Sequence, residues 1–289
     1  MGQSGPVQAD GWRQRIDGAM DFVRRRVAGD YEVDESGYDP QLMTTVLMPL
    51  FRPLYRSWFR VRMRGVENVP ASGAALVVAN HSGVLPLDAI MLQIGLFDEH
   101  REHRNLRLLS ADLVYEVPVL SSMARRSGYI RAAREEAQQQ LAAGEVVGVF
   151  PEGFKGVGKP FGQRYQLQRF GRGGFAKLAR QAGVPIIPCA IVGAEEIYPM
   201  IGNWPRVARM LGLPYFPVTP LFPWLGLVGA VPLPSNWIIE FCPPVPADGF
   251  VAWPGADQRQ SVSCLADKVR DTIQRKLDEL VAERGPAFT

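Results

Sequence analysis

The feature that most constrains the fold is an apolar run, Ala75 to Ala79, which ends abruptly at a polar turn and leads into a helical pattern from Asp88. A short apolar run bounded by turn residues is typical of a strand that is buried on both faces. Such strands belong to parallel sheets whose two sides are covered by helices. The run therefore predicts the strand, turn and helix of an α/β protein.

The turn itself carries an imidazole, His81, and ends at a carboxylate, Asp88. Connections that follow strands are where α/β proteins hold their reactive groups. A carboxylate that binds one imidazole nitrogen leaves the other nitrogen free to take a proton, so the pair suits general base catalysis. The plainer alternative is that Asp88 is an N-cap of the helix and His81 an ordinary turn residue.

Strand and helix patterns alternate through most of the remaining chain. Strands are predicted at 74–79, 106–110, 127–131, 146–150, 185–192 and 236–242, and helices at 88–97, 117–126, 133–143, 172–182 and 194–211. This interleaving predicts an α/β fold with a largely parallel mixed sheet flanked by helices. An amphipathic pattern over 261–283 predicts a last helix that closes the domain.

Composition narrows the function classes. The chain has 289 residues, which suffices for one large α/β domain or two small ones, and its net charge of +3 is too weak to indicate nucleic-acid binding. Its three cysteines and three histidines form no disulfide framework and no metal-ligand spacing, so we expect a reducing, cytosolic setting and no metal. Because the N-terminus is polar, we expect no signal peptide. A simple membrane span is not expected either, because the sequence contains no run of about eighteen apolar residues free of proline.

Two basic segments near the N-terminus suggest a membrane surface. The stripe from Trp12 to Val27 fits either a helix packed on the domain or an amphipathic helix on an anionic bilayer. Between Pro40 and Val66 five arginines and bulky apolar residues interleave without an acid, which favours an interfacial membrane segment over a docked helix. Two prolines, Pro49 and Pro53, are expected to kink or split a helix there. We accordingly predict membrane-interfacial amphipathic helices at 1–58 and a core domain at 59–289.

A second apolar stretch, 210–239, carries no charged residue and has a proline at every third position from Pro214 to Pro223. Period three is that of polyproline II, which places the prolines along one edge and the aromatic residues along the others. The pattern indicates an exposed apolar flap. A loop packed over the core is the alternative.

The predicted strand 146–150 runs directly into Glu152 and Gly153. A glutamate at the carboxyl end of such a strand projects into the crevice where α/β sheets bind ligands. No acid then follows as far as Glu195, and the first cations of this stretch are Lys155, Lys159, Arg164, Arg169 and Arg172. They suit a phosphate-bearing ligand, and the alternative is a surface loop that lysine and arginine keep soluble.

Three blocks occur in order: Asn80-His81 with Asp88 at the next helix start, Phe150-Pro151-Glu152-Gly153 after a strand, and Val184-Pro185-Ile186-Ile187-Pro188. This ordered trio resembles the glycerolipid acyltransferase superfamily, typified by lysophosphatidic acid acyltransferases, over roughly 65–193. The resemblance implies a glycerol-phosphate acyltransferase-like fold and makes 59–289 an acyltransferase domain. It also implies transfer of a fatty acyl group from acyl-CoA or acyl-carrier protein to a glycerol-backbone hydroxyl, in phospholipid biosynthesis. No metal or redox cofactor is implied.

The resemblance also assigns residues. His81 and Asp88 match its catalytic pair, although six residues separate them here where the superfamily usually has four, so the turn is expected to bulge at Gly83 and Pro86. Candidate substrate-binding residues are Phe150, Pro151, Glu152 and Gly153 of the matched block, Arg131, which lies one place earlier than the superfamily's phosphate-binding arginine, its rival Arg134, and Lys155 and Arg172 of the basic stretch.

The implied partners are acyl-CoA, a lysophospholipid or glycerol phosphate, and a membrane surface, with no nucleic acid. Because the product is insoluble in water, we expect a peripheral, monotopic position on the cytoplasmic face of the cell membrane. Two other function classes fit the same residues. One is a hydrolase that uses the dyad on a lipid or acyl thioester, and the other is a catalytically silent protein that binds lipid or CoA.

Overall fold

A seven-stranded sheet forms the centre of the computed structural model, which describes residues 18, 20–82, 85–116, 118–171, 173–212 and 215–288. The strands are β1 (Arg62–Arg64), β2 (Ala75–Ala79), β3 (Leu106–Ser110), β4 (Tyr129–Arg131), β5 (Val146–Val149), β6 (Ile186–Val192) and β9 (Ile238–Phe241), and β7 (Gly202–Asn203) and β8 (Pro217–Val218) form a separate pair. The order across the large sheet is β1-β9-β6-β2-β5-β3-β4. Strands β6, β2, β5, β3 and β4 are mutually parallel, and β9 runs antiparallel to β6.

Strand β2 lies in the middle of this parallel block, between β5 and β6. Its residues alternate between the two faces, with Val77 in the apolar core on one side and Leu76 and Val78 in the core on the other. All five residues of the strand are buried, which is why its sequence is apolar throughout and does not alternate.

Helices cover both faces of the sheet. The α-helices are Leu87–Glu99, Leu113–Glu116, Pro118–Arg126, Arg134–Ala142, Phe154–Val157, Gly174–Ala182, Pro205–Met210 and Gln258–Arg284, residues 20–28 are also helical, and 3-10 turns occur at Val66–Asn68, Phe161–Gln163, Ala194–Glu196 and Gly226–Ala230. The Leu87–Glu99 helix packs on one face, and the helices Arg134–Ala142, Gly174–Ala182 and Gln258–Arg284 pack on the other. The predicted α/β fold, a largely parallel mixed sheet flanked by helices, is confirmed.

Residues 40–58 form one helical path with alternating hydrogen-bond registers: α at Pro40–Leu42, π at Met43–Leu47, α at Met48–Pro53 and π at Leu54–Trp58. The prolines within it lack amide hydrogens, and the path passes them by wider bonds such as Met48 N to Met43 O, so the predicted kink or split becomes a change of register.

One side of this helical path is docked on the domain, as the docked alternative expected, and contact of its outer side with a membrane stays a prediction. Tyr55 is buried and donates a hydrogen bond of 2.5 Å to Glu99, while Arg52 pairs with Asp98 at 2.7 Å. An amphipathic stripe has the same sequence pattern whether it faces a core or a bilayer, which is why the pattern did not decide between them. The division of the chain at residue 58 stays a prediction.

Two local predictions are also corrected. The helix expected over 194–211 is interrupted, since only Pro205–Met210 is α-helical and Gly202–Asn203 is a strand. Prolines interrupt the helix there, because Pro199 and Pro205 have no amide hydrogen to donate to the backbone hydrogen bonds of a continuous helix. The expected polyproline II run is broken as well, with Pro217 in β8 and a turn at 222–225, while Pro214 lies outside the described residues. Within the described ranges, no helix has both the length and the apolar character needed to cross a membrane.

Candidate active site

The predicted site residues meet at one edge of the sheet. Because β2, β5, β3, β4 and β6 are parallel, the residues that follow them leave at the same side. His81 follows β2, Glu152 follows β5 and Arg131 ends β4. Residues more than seventy positions apart in the chain are thereby brought into contact, as the hydrogen bond from His81 N to Glu152 Oε1 demonstrates.

The imidazole and the carboxylate of the turn form a direct contact. His81 Nδ1 lies 2.7 Å from Asp88 Oδ2, so the six intervening residues do not keep the two apart. The side chain of Asp88 has no exposed surface, whereas that of His81 keeps 19% of its surface exposed. We assign the proton to Nδ1, because the carboxylate accepts hydrogen bonds from every other group that touches it. Nε2 is then the lone-pair nitrogen that is available to take a proton.

Asp88 is not the N-cap that its position suggested. The helix begins at Leu87 with Pro86 as its N-cap, which makes Asp88 the second residue of the first turn. Its Oδ2 also accepts from Ser82 N at 2.9 Å, and its Oδ1 accepts from Ala89 N at 2.8 Å. The carboxylate therefore fixes the turn, the helix start and the imidazole together. Gly83, one of the two predicted bulge positions, lies outside the described residues.

The surroundings of His81 favour its protonated form. Burial opposes the imidazolium, but the charge and hydrogen bond of Asp88, together with the charge of Glu152, outweigh it and raise the pKa of His81 above its ordinary value of 6.5. Phe150 stacks on the imidazole with ring centres 4.5 Å apart. The ring is thus held by a hydrogen bond at Nδ1 and by an aromatic face, which leaves little freedom to its orientation.

Glu152 holds the backbone of His81. Its Oε1 accepts from His81 N at 3.0 Å, its Oε2 accepts from Gln168 N at 2.7 Å, and its side chain has no exposed surface. The adjoining Gly153 has a φ of +53°, which a residue with a side chain rarely adopts. These contacts are all internal, and a contact of Glu152 with substrate stays a prediction.

Asn80 fastens the turn to the neighbouring strand. Its side-chain nitrogen donates to Ile191 O at 2.9 Å, and its side-chain oxygen accepts from Ile191 N at 2.8 Å. The amide thus continues the ladder between β2 and β6 by one step beyond the end of β2. The sequence motif includes Asn80, but its pairing with Ile191 becomes apparent only once β6 is seen to lie beside β2.

The predicted arginines differ in their surroundings. The guanidinium of Arg131 lies over the ring of Tyr115, 5.2 Å from its centre, and Arg125, which sequence reasoning missed, lies over the same ring at 5.2 Å. Among the described residues, no carboxylate forms an ion pair with either arginine side chain. Arg134 is exposed at the start of its helix, where it donates to the side chain of Gln181.

A buried hydroxyl belongs to Tyr129, the first residue of β4. Burial, and to a lesser extent the charge of Asp88, raises the pKa of Tyr129. The Tyr129 hydroxyl has no hydrogen-bond partner in the described part of the chain. A buried hydroxyl of this kind is suited to a polar ligand atom.

The remaining predicted positions contribute less to the geometry. Lys155 is exposed in the short helix Phe154–Val157, and Pro151 is half-buried. Arg172 lies outside the described residues. In the ranges that the structure covers, no group of three or more His, Cys, Asp or Glu side chains is arranged to hold a metal ion.

Comparison with known proteins identifies relatives of several degrees. The profile of the Acyltransferase family matches residues 60–192. An uncharacterized protein of Mycobacterium tuberculosis is 50% identical over 275 residues, which are 95% of this chain and 76% of that protein. A Bos taurus protein named "DGAT1/2-independent enzyme synthesizing storage lipids" is 25% identical over 222 residues, 77% of this chain and 60% of its own.

A crystal structure with the same fold is among the matches. The crystal structure of the 1-acyl-sn-glycerophosphate (LPA) acyltransferase PlsC from Thermotoga maritima matches with a TM-score of 0.56. The match covers 84% of this chain and 80% of that one at 19% sequence identity. At this identity the match shows a common arrangement of strands and helices.

Proposed function

This chain belongs to the acyltransferase family, and on that premise we propose that it moves a fatty acyl group from acyl-CoA or acyl-carrier protein to a glycerol-backbone hydroxyl. The acceptor is a lysophospholipid or glycerol phosphate, and the reaction serves phospholipid biosynthesis. The observation that carries the proposal is the 2.7 Å contact between His81 Nδ1 and Asp88 Oδ2, which leaves Nε2 free at the carboxyl edge of a parallel sheet.

In the proposed reaction, His81 Nε2 takes the proton of the acceptor hydroxyl as its oxygen attacks the thioester carbonyl. The new C–O bond forms, the C–S bond breaks, and the thiolate of CoA or of the carrier protein is the leaving group. The imidazolium that forms is stabilised by Asp88, a buried carboxylate whose own hydrogen bonds hold it in place. The imidazolium then returns its proton to the thiolate, which restores the neutral base.

We propose that the acceptor's phosphate binds near Tyr115, between Arg131 and Arg125. Both guanidinium groups lie 5.2 Å from the ring centre and have no carboxylate partner in the described residues. A guanidinium that lacks a counter-ion suits phosphate, to which it donates paired hydrogen bonds. Arg134 is less suited, since the side chain of Gln181 already accepts from it.

A membrane position is proposed from an exposed apolar patch, which we call the apolar rim. Its exposed side chains are Ile201, Trp204, Met210, Leu211, Trp224, Leu225, Val228 and Val231. Contiguous exposed apolar residues mark protein or membrane contacts, and tryptophan favours the bilayer interface. Two exposed arginines, Arg206 and Arg209, lie within the same region and suit anionic lipid headgroups.

Two further observations support this membrane position. Tyr215, in the segment that carries the apolar rim, lies against Gly158, where a Cβ would be 3.8 Å from Tyr215 Cδ1, so this segment meets the stretch that follows Glu152. In the N-terminal helix, Met20, Val23 and Val27 are exposed, so these apolar side chains are available to a bilayer surface. Trp12 and Ile16, the first residues of that stripe, lie outside the described residues. We propose peripheral, monotopic attachment to the cytoplasmic face of the cell membrane.

The test is acyl transfer by His81→Ala in the presence of acyl-CoA and a mixed pool of lysophospholipids, glycerol phosphate and diacylglycerol, with products identified by mass spectrometry. Loss of the general base should lower the rate by about a hundred- to ten-thousand-fold. The matched control is His103→Asn, which replaces an exposed histidine at a φ of +45° with a residue that tolerates this conformation.

Three results would oppose the proposal. Unchanged transfer by His81→Ala removes the base. Acyl release that is equally fast without any acceptor identifies a hydrolase, and no turnover by the unmodified protein with any donor favours a silent binding protein. Formation of triacylglycerol alone would instead replace the proposed acceptor with a neutral one.

A further inference from the structure

A buried charge cluster adjoins the backbone of His81 through Glu152. Lys159 Nζ is 3.1 Å from Glu195 Oε1 and 3.4 Å from Glu152 Oε2, and the side chains of these three residues are at most 5% exposed. Charged groups are rarely removed from water in this way, since their desolvation costs several kcal/mol per ion by order of magnitude. Lys159 is therefore not one of the solvated cations that keep a surface loop soluble.

The cluster fastens the segment 153–167 to the backbone of the dyad. Glu195 Oε2 accepts from Tyr165 N at 3.0 Å, and Glu152 Oε2 accepts from Gln168 N, so two glutamates hold the far end of the segment. Near its start, Gly156 packs so closely that a Cβ there would lie 2.9 Å from His81 O. The segment thus rests directly on the residue that carries the base.

We propose that Lys159 is a positioning residue for His81, which acts through Glu152 and is itself held by Glu195. This inference rests on the proposed role of His81 as the general base. Glu152 must be ionised to accept strongly from His81 N, yet a second uncompensated carboxylate beside the imidazole would hold the imidazolium too tightly. The ammonium of Lys159 offsets that charge, so that Glu152 orients His81 without trapping the proton.

The groups that face this part of the site act in opposite directions. Asp88, from the Leu87–Glu99 helix, and Glu152, after β5, raise the pKa of His81, while Lys159 lowers it. Burial raises the pKa of Glu195 to about 7, although Lys159 opposes the rise. Removal of the lysine leaves Glu195 without a counter-ion, which favours the neutral form of Glu195 near pH 7, whereas Glu152 keeps its hydrogen bonds to His81 N and Gln168 N. The charge of Lys159, which lowers the pKa of His81, is then gone, while Asp88 and Glu152, which both raise it, stay beside the imidazole.

The experiment follows the imidazole itself. With isotope-labelled histidine, the NMR titration of His81 is compared between the unmodified full chain, Lys159→Met and the double variant Lys159→Met/Glu195→Gln. Both variants should raise the pKa of His81 by about 0.5 to 1 pH unit, the scale on which a nearby charge acts. The double variant removes a positive and a negative group together, which keeps folding possible where Lys159→Met alone leaves an unpaired buried carboxylate.

The acid limb of kcat/KM should move to higher pH in the same variants, with the KM for acyl-CoA unchanged. Lys276→Met is the matched control, because Lys276 also bridges two glutamates, Glu240 at 2.9 Å and Glu279 at 2.8 Å, but on the last helix. This control should leave the titration of His81 unchanged. The signals of His100 and His103 serve as internal references within each spectrum. A His81 pKa that is unmoved or lowered in the double variant would overturn the inference. Since the titration needs no turnover, that result is separable from a failure of the proposed acyl transfer.

Discussion

At the residue scale, the site depends on one carboxylate with several simultaneous hydrogen bonds. Asp88 holds His81, Ser82 N and Ala89 N, and its burial keeps water from competing for those bonds. The sequence was sufficient to predict that His81 and Asp88 meet, because the residue types and the strand-to-helix position are both visible in it. It did not reveal the two backbone bonds, since these depend on the path of the turn.

Arg131 and Arg134 provide a test at this same scale. Arg131→Ala should raise the KM for a phosphate-bearing acceptor by about 10- to 100-fold, the range expected for lost hydrogen bonds to a charged group, with little change in kcat. Arg134→Ala is the control, because that side chain is exposed and bonded to Gln181. Steady-state kinetics with varied lysophosphatidate measure both. Equal KM values for Arg131→Ala and the unmodified protein would refute the assignment of the phosphate to Arg131.

At the element scale, the site is assembled by connections between strands and not by the strands themselves. The turn after β2 carries the dyad, and the segment after β5 returns over it through Glu152 and Gln168. Periodicity identified the strands because their burial makes them apolar throughout. It could not identify the return of the segment, since Lys155, Lys159 and Arg164 have the same charge but only Lys159 is buried among them.

Gly156 tests whether this segment positions the base. In Gly156→Ala the new Cβ would lie 2.7 Å from Glu152 Cβ and 2.9 Å from His81 O, so His81 or the segment must shift. A displacement of about 1 Å at a catalytic group costs on the order of a hundredfold in rate, and overpacking costs about 1–3 kcal/mol of stability. Activity and thermal unfolding should both be measured for Gly156→Ala. The control is Gly162→Ala, where a Cβ meets no atom within 4 Å. If both variants keep full activity, the segment does not position His81.

At the scale of the whole molecule, the layers and the parallel sheet were predictable, whereas the partners of several apolar surfaces were not. An apolar stripe indicates that a helix buries one side, but Tyr55 and Arg52 had to be located before the 40–58 path could be assigned to the domain. The exposed Met20 and Val23 gave the opposite result from a similar pattern. What distinguishes the two cases is the three-dimensional complement offered by Asp98 and Glu99, which no local pattern contains.

The apolar rim gives the corresponding prediction for the whole molecule. Trp224→Asp/Val228→Asp introduces two charges on side chains that are 64% and 67% exposed, so folding should be retained while flotation with liposomes containing anionic lipid is lost. The control is Val251→Asp/Trp253→Asp, an exposed pair outside the rim that should float like the unmodified protein. Equal flotation of the two double variants would rule out the rim as the membrane contact.

The most direct test of the central claim, that Asp88 holds and charges His81 as the general base, is the pH profile of kcat/KM for the unmodified protein and Asp88→Asn. A base works in its neutral form, so the rate should rise with pH through the pKa of His81, which lies above 6.5 in the unmodified protein. In Asp88→Asn the largest contribution that raises this pKa is gone and burial still lowers it, so the acid limb should move to lower pH while the plateau falls by about a hundred- to ten-thousand-fold. An acid limb that stays in place or moves to higher pH in Asp88→Asn would contradict the claim.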